Sequence, residues 1–462
     1  MKKLLYRFAA IAIIAALGSC NFIDPELNID PNLPQDATVE LLLPSAQAMY
    51  GYVLGGDYGR YTTIWSQHHG GATRQHAGYD TYGLKEADVN NAWNNLYASV
   101  LKDLDLVVAK ASESKSPYYS GIAKIMTAMT LATLVDVNDD IPYSAAVAAD
   151  DNNEGLKPTY DDAADVYAAI QGLLDEAIND LNSSESTLSP ASKGGDLVFD
   201  GDLGKWIAAA NTLKARYYIR LSEVDNDAYS KALAAIDAGA IADNGGNAAV
   251  PFGLGSNSAN PWYQFEDQRG DVVMGAFFID LMNSINDPRR AVFAAVNDGG
   301  IYQGMIAGMQ DGTPAISRFG TAYASINSPV PLVNYAEAKF LEAEAALGTD
   351  PARAAEAHNE AIAASLASFG LDDPAFLAAE ASEDQNSITL EKILTHKYIA
   401  LYTMQEPYND FRRKGIPALQ PAIGQTKIAV RYPYPSGERL YNGDNYPGQP
   451  NLFTGNVFWD VD

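Results

Sequence analysis

Cysteine is nearly absent from this 462-residue chain, which holds one, Cys20, beside only five histidines and five tryptophans. A single thiol excludes an intramolecular disulfide and a multi-cysteine metal cage. No Gly-x-Ser-x-Gly elbow, phosphate loop, dinucleotide fingerprint or His-Glu-x-x-His pair is present, so the common signatures of hydrolases, nucleotide-binding enzymes and zinc proteases are missing. Basic side chains are few: 31 Lys and Arg face 58 Asp and Glu, a net charge of −27. Such a field repels phosphate backbones, which argues against nucleic acid as a partner and favours neutral ligands. Among so many acids a pair spaced for glycoside cleavage can always be imagined, so the sequence names no catalytic residue. Long apolar runs are also scarce, and after the N-terminus no segment is expected to be apolar enough to cross a bilayer.

What the chain does have begins at its N-terminus. Lys2, Lys3 and Arg7 precede an apolar run from Phe8 to Leu17, and Leu17-Gly18-Ser19-Cys20 resembles the lipobox at which bacterial lipoproteins are cut and acylated. The run is shorter than the roughly 20 residues that span a bilayer. Residues 1–19 are therefore expected to be a signal peptide, and Cys20 the lipidation site that holds the protein to a membrane. Pro25, Pro31 and Pro34 then keep 20–37 out of helix, which reads as a tether. Residues 38–462 are expected to be a single domain.

From Thr38 the pattern is helical. Trp93, Leu96, Tyr97, Val100, Leu101, Leu104, Val107, Val108 and Ala111 recur at helical spacing, with Asn94, Asn95, Lys102, Asp103 and Lys110 opposite. Similar stripes cover 118–137, 160–181, 206–221, 228–241, 335–347, 351–369 and 388–405. Gly348 is suited to end one helix, Asp350 to cap the next and Pro351 to occupy its first turn. Alanines at 343, 345, 346, 354, 357, 361 and 364 allow close backbone approach, as in tetratricopeptide-like helix pairs, although no 34-residue period is visible. Between the pairs lie long Gly-, Asn- and aromatic-rich stretches, notably about 51–91 and 243–331, longer than mere connectors need be. The fold class expected is mainly α: a tetratricopeptide-like helix-pair scaffold with an irregular loop-rich ligand-binding subdomain.

Specific strings then resemble a known family. Glu337-Ala338-Lys339-Phe340-Leu341-Glu342-Ala343-Glu344-Ala345, the segment Glu391 to Tyr402, and Tyr408-Asn409-Asp410-Phe411-Arg412-Arg413-Lys414-Gly415-Ile416-Pro417 look like the signature of SusD/RagB lipoproteins. Arg431-Tyr432-Pro433-Tyr434-Pro435, Asn445-Tyr446 and Trp459-Asp460 resemble that family's C-terminal block, Asp30-Pro31-Asn32 and Leu42-Leu43-Pro44 its mature N-terminus, and Ile141-Pro142-Tyr143 adds a further match. The resemblance implies an outer-membrane lipoprotein of the Bacteroidetes, facing the cell exterior. It also implies a non-enzymatic protein that binds a nutrient, most often an oligosaccharide, and delivers it to a TonB-dependent SusC-like transporter. A peptide ligand, an assembly scaffold and a lipid-anchored glycoside hydrolase are the alternatives.

A sugar ring offers C–H groups to an aromatic face while its hydroxyls seek side-chain donors and acceptors. Two loops have that composition. One carries Trp65, Gln67, His68, Arg74, Tyr79 and Tyr82; the other carries Asn260, Trp262, Tyr263, Arg269 and Asp271. These eleven residues are the candidate ligand-binding set, with burial of Trp65 and Trp262 in a core as the competing reading. No cofactor is implied. His68, His69 and His76 cluster, but adjacent histidines are poorly spaced for one tetrahedral metal. Asp136 to Asp140 lacks the glycine and glutamate of a calcium loop and reads as a helix-ending turn. Arg412 and Arg413 beside Asp410 read as ion-pair formers that brace a helix end.

Overall fold

Three successive helix pairs build the scaffold, and side chains at helix starts set their boundaries. A computed structural model describes residues 37–146, 157–191 and 194–461; the signal segment, Cys20 and the tether to residue 36 lie outside them. The chain opens with α1 (Val39–Leu54), α2 (Asp57–Trp65), strand β1 (His69–Gly71) and α3 (Arg74–Asp80). A continuous helical run follows: α4 (Asn90–Asn94), a π-helical stretch (Asn95–Leu101) and α5 (Lys102–Ser114). Then come α6 (Pro117–Asn138), α7 (Ala163–Leu181), α8 (Leu203–Arg220) and α9 (Ala228–Asp237). Strand β2 (Ala248–Val250), α10 (Pro261–Gln268), β3 (Val272–Met274), α11 (Ala276–Ser284) and β4 (Val330–Val333) make the irregular part. Helices α12 (Tyr335–Ala346), α13 (Pro351–Ala367), α14 (Pro374–Glu380), α15 (Leu390–Ala400), α16 (Glu406–Lys414) and α17 (Ser436–Tyr441) complete it.

Helix α6 packs on α7, α8 on α9 and α12 on α13, while α7–α8 and α9–α12 contacts join one pair to the next. The caps follow the residue chemistry. Asp162, Asp202, Asn334, Asp350 and Asp373 each accept a backbone N–H of the helix they precede, and Pro351 sits in the first turn of α13. Small residues set the approach: a Cβ built on Gly121 of α6 would stand 2.7 Å from Leu181 Cγ and 2.9 Å from Ala177 O of α7. Ala215, Ala232 and Ala345 fill the seam between α8, α9 and α12, and Ala343, Ala357 and Ala361 the seam between α12 and α13.

Two sequence expectations need correction. Helix α6, at 22 residues, is long and apolar enough to span a membrane by length and composition, yet it is almost wholly buried from Tyr119 to Asn138 and serves as a core helix here. The stretch read as loop from 51 to 91 contains α2 and α3, and the one from 243 to 331 contains α10 and α11. These helices are too short for an amphipathic stripe to reveal.

The strings that carry the family resemblance converge in the interior. Arg216 of α8 binds Glu337 of α12 at 2.5 Å, and Arg413 of α16 binds Glu344 at 2.5 Å and Asp410 at 3.0 Å. Arg220 pairs with Glu406 and lies 3.5 Å from Asp136, whose carboxylate also accepts from Asn409 (3.0 Å), Trp459 Nε1 (3.1 Å) and Tyr167. Lys397 reaches Asp410 at 2.8 Å. Burial opposes the charge on Asp410, but Lys397, Arg413 and Arg220 hold its carboxyl below the usual range. Arg412 lies over the rings of Tyr408 (4.3 Å) and Trp459 (4.6 Å). Arg413 thus braces α16 through ion pairs, as expected, whereas Arg412 does so by donating to Asn409 Oδ1 at 2.5 Å and Val430 O at 2.8 Å and by lying over the two rings.

Candidate functional site

The two candidate loops, nearly two hundred residues apart in sequence, meet as neighbouring strands. β1 pairs antiparallel with β3 in the register His69–Met274, Gly70–Val273 and Gly71–Val272. Gly71 is required by close approach, since a Cβ there would stand 1.9 Å from His76 O. Asp271 ties the junction. Its fully buried carboxylate accepts from Arg74 and from Arg269 at 3.1 Å, and lies 3.4 Å from His76 Nδ1. Its carbonyl accepts from Ala72 N at 2.8 Å, and Arg74 Nη1 also donates to Arg269 O at 2.9 Å. Burial, aided by the charge of Arg60, lowers the pKa of His76 to about 4 despite Asp271, so the ring is neutral at pH 7.

Most of the eleven candidates are buried. Trp65 has no exposed surface; its Nε1 donates to Tyr79 O at 2.9 Å and its ring stands edge-on to Tyr82, Tyr408 and Tyr432. Trp262, 3% exposed, packs on His69 and Phe319 at 4.9 and 5.2 Å between ring centres. Both tryptophans are buried: Trp65 is wholly enclosed, and Trp262 borders an inner cavity, not the protein surface. His68 is buried with Nε2 3.0 Å from Tyr398 O, and burial lowers its pKa to about 3. His69 bridges Thr63 and Tyr402 at 2.9 and 2.7 Å, so the three histidines point at different partners. Gln67 donates to Gln420 O, the hydroxyl of buried Tyr82 accepts from Ala422 N, and Tyr79 is buried against Tyr61. Asn260 is a helix cap, accepting from Trp262 N and Tyr263 N and donating to Ser328 O. Asp271 is the buried tie just described. Of the set, only Arg74 and Arg269, whose side chains are 57% and 42% exposed, and half-buried Tyr263 reach solvent. Among the described residues no group of three or more His, Cys, Asp or Glu converges as a metal-binding set.

Beside this junction lies a cleft with an empty volume of about 600 Å³. Gln264 and Gln268, one turn apart on α10, form one wall together with Phe265; Tyr52 of α1, Asp57 and Arg60 of α2, and Asn95 form the other. The guanidinium of Arg60 lies 4.2 Å over the Phe265 ring and pairs with Asp57. Gln264 Nε2 donates to Ala259 O at 2.6 Å, which fixes the amide in place. Asn95 begins the π-helical stretch, a distortion that often accompanies functional positions. Among the described residues, the cleft's one lining arginine, Arg60, is held by Asp57, and the nearby guanidiniums are held likewise, Arg74 and Arg269 by Asp271 and Arg318 by Glu266. Chemically this is an aromatic surface among amides and neutralised charges, suited to a polyol.

Tyr52, Asp57, Arg60 and Asn95 escaped the sequence reading. One signal was available: the buried stripe of α1 runs through Val39, Leu42, Leu43, Ala46, Tyr50 and Val53, and Tyr52 is an aromatic outside it, 49% exposed. Nothing local announces that α10 will face it.

The sequence matches, over residues 31–435, the profile of a SusD-like family described as "Starch-binding associating with outer membrane". No curated protein matches it. Among solved structures, a protein titled chitin-binding is similar at 25% identity and a TM-score of 0.74, covering 91% of this chain and all of its own. A chitin-binding SusD homolog from Flavobacterium johnsoniae shares 24% identity and a TM-score of 0.75, covering 92% of this chain and 96% of its own. A SusD-like protein from Bacteroides thetaiotaomicron shares 23% identity and a TM-score of 0.77, covering 92% and 99%. With the helix-pair scaffold and a profile match across most of the chain, the protein belongs to the SusD-like family.

Proposed function

We propose that the protein is a non-enzymatic glycan-capture lipoprotein, acylated at Cys20 on the outer membrane, that holds a neutral oligosaccharide in the cleft between α1, α2 and α10 and passes it to a TonB-dependent SusC-like transporter. The observation that carries the reading is the cleft's lining: exposed Tyr52 and half-buried Phe265 beside the amides of Asn95, Gln264 and Gln268. Aromatic faces meet the C–H side of a sugar ring while amides exchange hydrogen bonds with its hydroxyls. Among the described residues lining the cleft the one cation, Arg60, is already paired, which disfavours a uronate, and the net charge of −27 disfavours one further. Tyr263, Arg74 and Arg269, the exposed members of the sequence-derived set, flank the same junction. Family membership and the chitin-binding titles of two similar structures support a polysaccharide-derived ligand.

Isothermal titration with maltohexaose and chitohexaose tests the reading. Saturable binding is expected to weaken at least tenfold in Tyr52→Ala/Gln268→Ala, with no reducing ends released on incubation. Undiminished binding by the folded variant would remove the cleft from the mechanism. Delivery is tested separately, by co-purification of the membrane-extracted lipoprotein with a barrel transporter, which Cys20→Ala should abolish.

A further inference from the structure

A second cleft, with an empty volume of about 800 Å³, shares no lining residue with the first. It lies where the 321–331 segment meets the end of α13 and the start of α12, and its walls include Asn244, Asn247, Tyr323, Asn334, Ser368 and Phe369. None of the residues lining it is charged, in a chain with 58 acidic and 31 basic side chains.

Its polar groups are held in place yet keep capacity. Asn244 Nδ2 donates to Ala364 O at 2.9 Å, and Asn247 accepts from Tyr335 N while donating to Asn244 Oδ1 at 3.2 Å. Asn334 accepts from Glu337 N, but among the described residues its Nδ2 meets only Met404 Sδ, at 3.8 Å, so this amide retains donor capacity. The rings of Tyr323 and Phe369 stand edge to face at 5.8 Å. Burial raises the pKa of Tyr323, which keeps its hydroxyl a neutral donor. The same tyrosine, with Pro329 and Pro331, also walls an inner cavity lined by Gln405, whose buried Nε2 has no hydrogen-bond partner among the described residues. Tyr323 therefore stands between two spaces, each bordered by amide donors that the protein does not fully satisfy. Buried polar groups left this way call for an occupant, protein, water or ligand.

We infer that this cleft is a second subsite for an uncharged sugar, one that seats a ring in the corner between Tyr323 and Phe369 and hydrogen-bonds its hydroxyl or acetamido groups to Asn247, Asn334 and Ser368. The inference rests on the glycan reading above and extends it to a second, spatially separate contact. An acidic sugar does not fit, because its carboxylate would be desolvated with no cation to pair it. Two separate contacts on one chain engage a long polymer more tightly than a short oligomer, since the second contact forms at high effective concentration.

Titration of the full chain with maltotriose and with triacetylchitotriose, each too short to link distant sites, tests this. Ser368 is exposed, so Ser368→Trp fills the second cleft without disturbing the core, and Phe369→Ala removes one side of the corner as an independent variant. For one of the two sugars the wild type is expected to bind two molecules per chain, Ser368→Trp and Tyr52→Ala/Gln268→Ala one each, and their combination none; Phe369→Ala should weaken the second event about tenfold. Unchanged stoichiometry and affinity in Ser368→Trp and Phe369→Ala, with all binding lost in Tyr52→Ala/Gln268→Ala, would overturn the second subsite and leave the first standing. Binding lost in Ser368→Trp alone would instead discard the first cleft and keep the second. No binding of either sugar by the wild type would reject both.

Discussion

The ionic hub under α16 and the cleft beside α10 both combine arginines, carboxylates and aromatic rings, but they use them in opposite ways. In the hub, Arg413 with Glu344 and Arg220 with Asp136 are almost without solvent and pair in the interior. At the β1–β3 junction beside the cleft, Arg74 and Arg269 share one buried carboxylate and their side chains are 57% and 42% exposed. A charge removed from water must be matched at once, whereas a charge at the rim can exchange partners with solvent or ligand. The strings that carry the family resemblance therefore record how the helices are locked together, and the cleft proposed for the ligand is built from residues outside them.

The contrast is easiest to break at the hub. Arg220→Met leaves Asp136 and Glu406 buried without their main cation, so a loss of about 3–5 kcal/mol is expected in urea unfolding; a loss below 1 kcal/mol would show that the hub is not integral to stability. Trp65→Ala should cost a similar amount, about 3–5 kcal/mol, by emptying a fully buried site, while the folded fraction keeps its glycan affinity. A fall in affinity without a fall in stability would return Trp65 to the binding surface.

Acid offers a smaller and graded probe. Burial lowers the pKa of both His68 and His358 to about 3. Each folded value lies below the unfolded one, so the stability these rings contribute is complete above about pH 6.5 and declines as pH falls, by about 2 kcal/mol each at pH 5. Asp80 has the opposite sign: burial, against bonds from Gly308 and Gly71, raises its pKa to about 6, so its contribution is lost as pH rises from about 4 to 6 and offsets about 1 kcal/mol. Urea midpoints at pH 7.5 and 5 should differ less in His358→Leu than in the wild type; equal pH dependence would show that this ring does not titrate on unfolding. The smallest effect on stability belongs to the cleft. Gln268→Ala alone is expected to leave unfolding within about 0.5 kcal/mol of wild type, as for other surface changes, while weakening hexasaccharide binding several-fold by titration. A destabilisation above 1 kcal/mol would mean that Gln268 belongs to the architecture after all.

Legibility in the sequence followed element length. The stripes read at 118–137, 206–221 and 351–369 appear as α6, α8 and α13, because several turns of periodic burial leave an unmistakable pattern. The stripe through Trp93 is also helical, but its middle is a π-helical stretch that periodicity does not distinguish from α. Asp350 and Pro351 act as read, since capping is a local interaction. The two loops chosen for their composition do meet, across β1 and β3. What went unread is which of their aromatic residues face inward. Tryptophan has the same identity in a core as on a ligand platform, and only the neighbours supplied by Tyr408, Tyr432 and Phe319 decide the matter.

The amino-acid sequence by itself determined the helix pairs, their caps and close seams, and the family, because periodicity, capping and small-residue spacing act over a few neighbouring positions. Only the tertiary structure decided that Trp65 and Trp262 are core, that Tyr52 and Asn95 face Gln264 and Gln268, and that an uncharged cleft opens beside Tyr323. Exposure is a property of residues brought together from distant parts of the chain, and no local pattern encodes which distant surface will cover a given side chain.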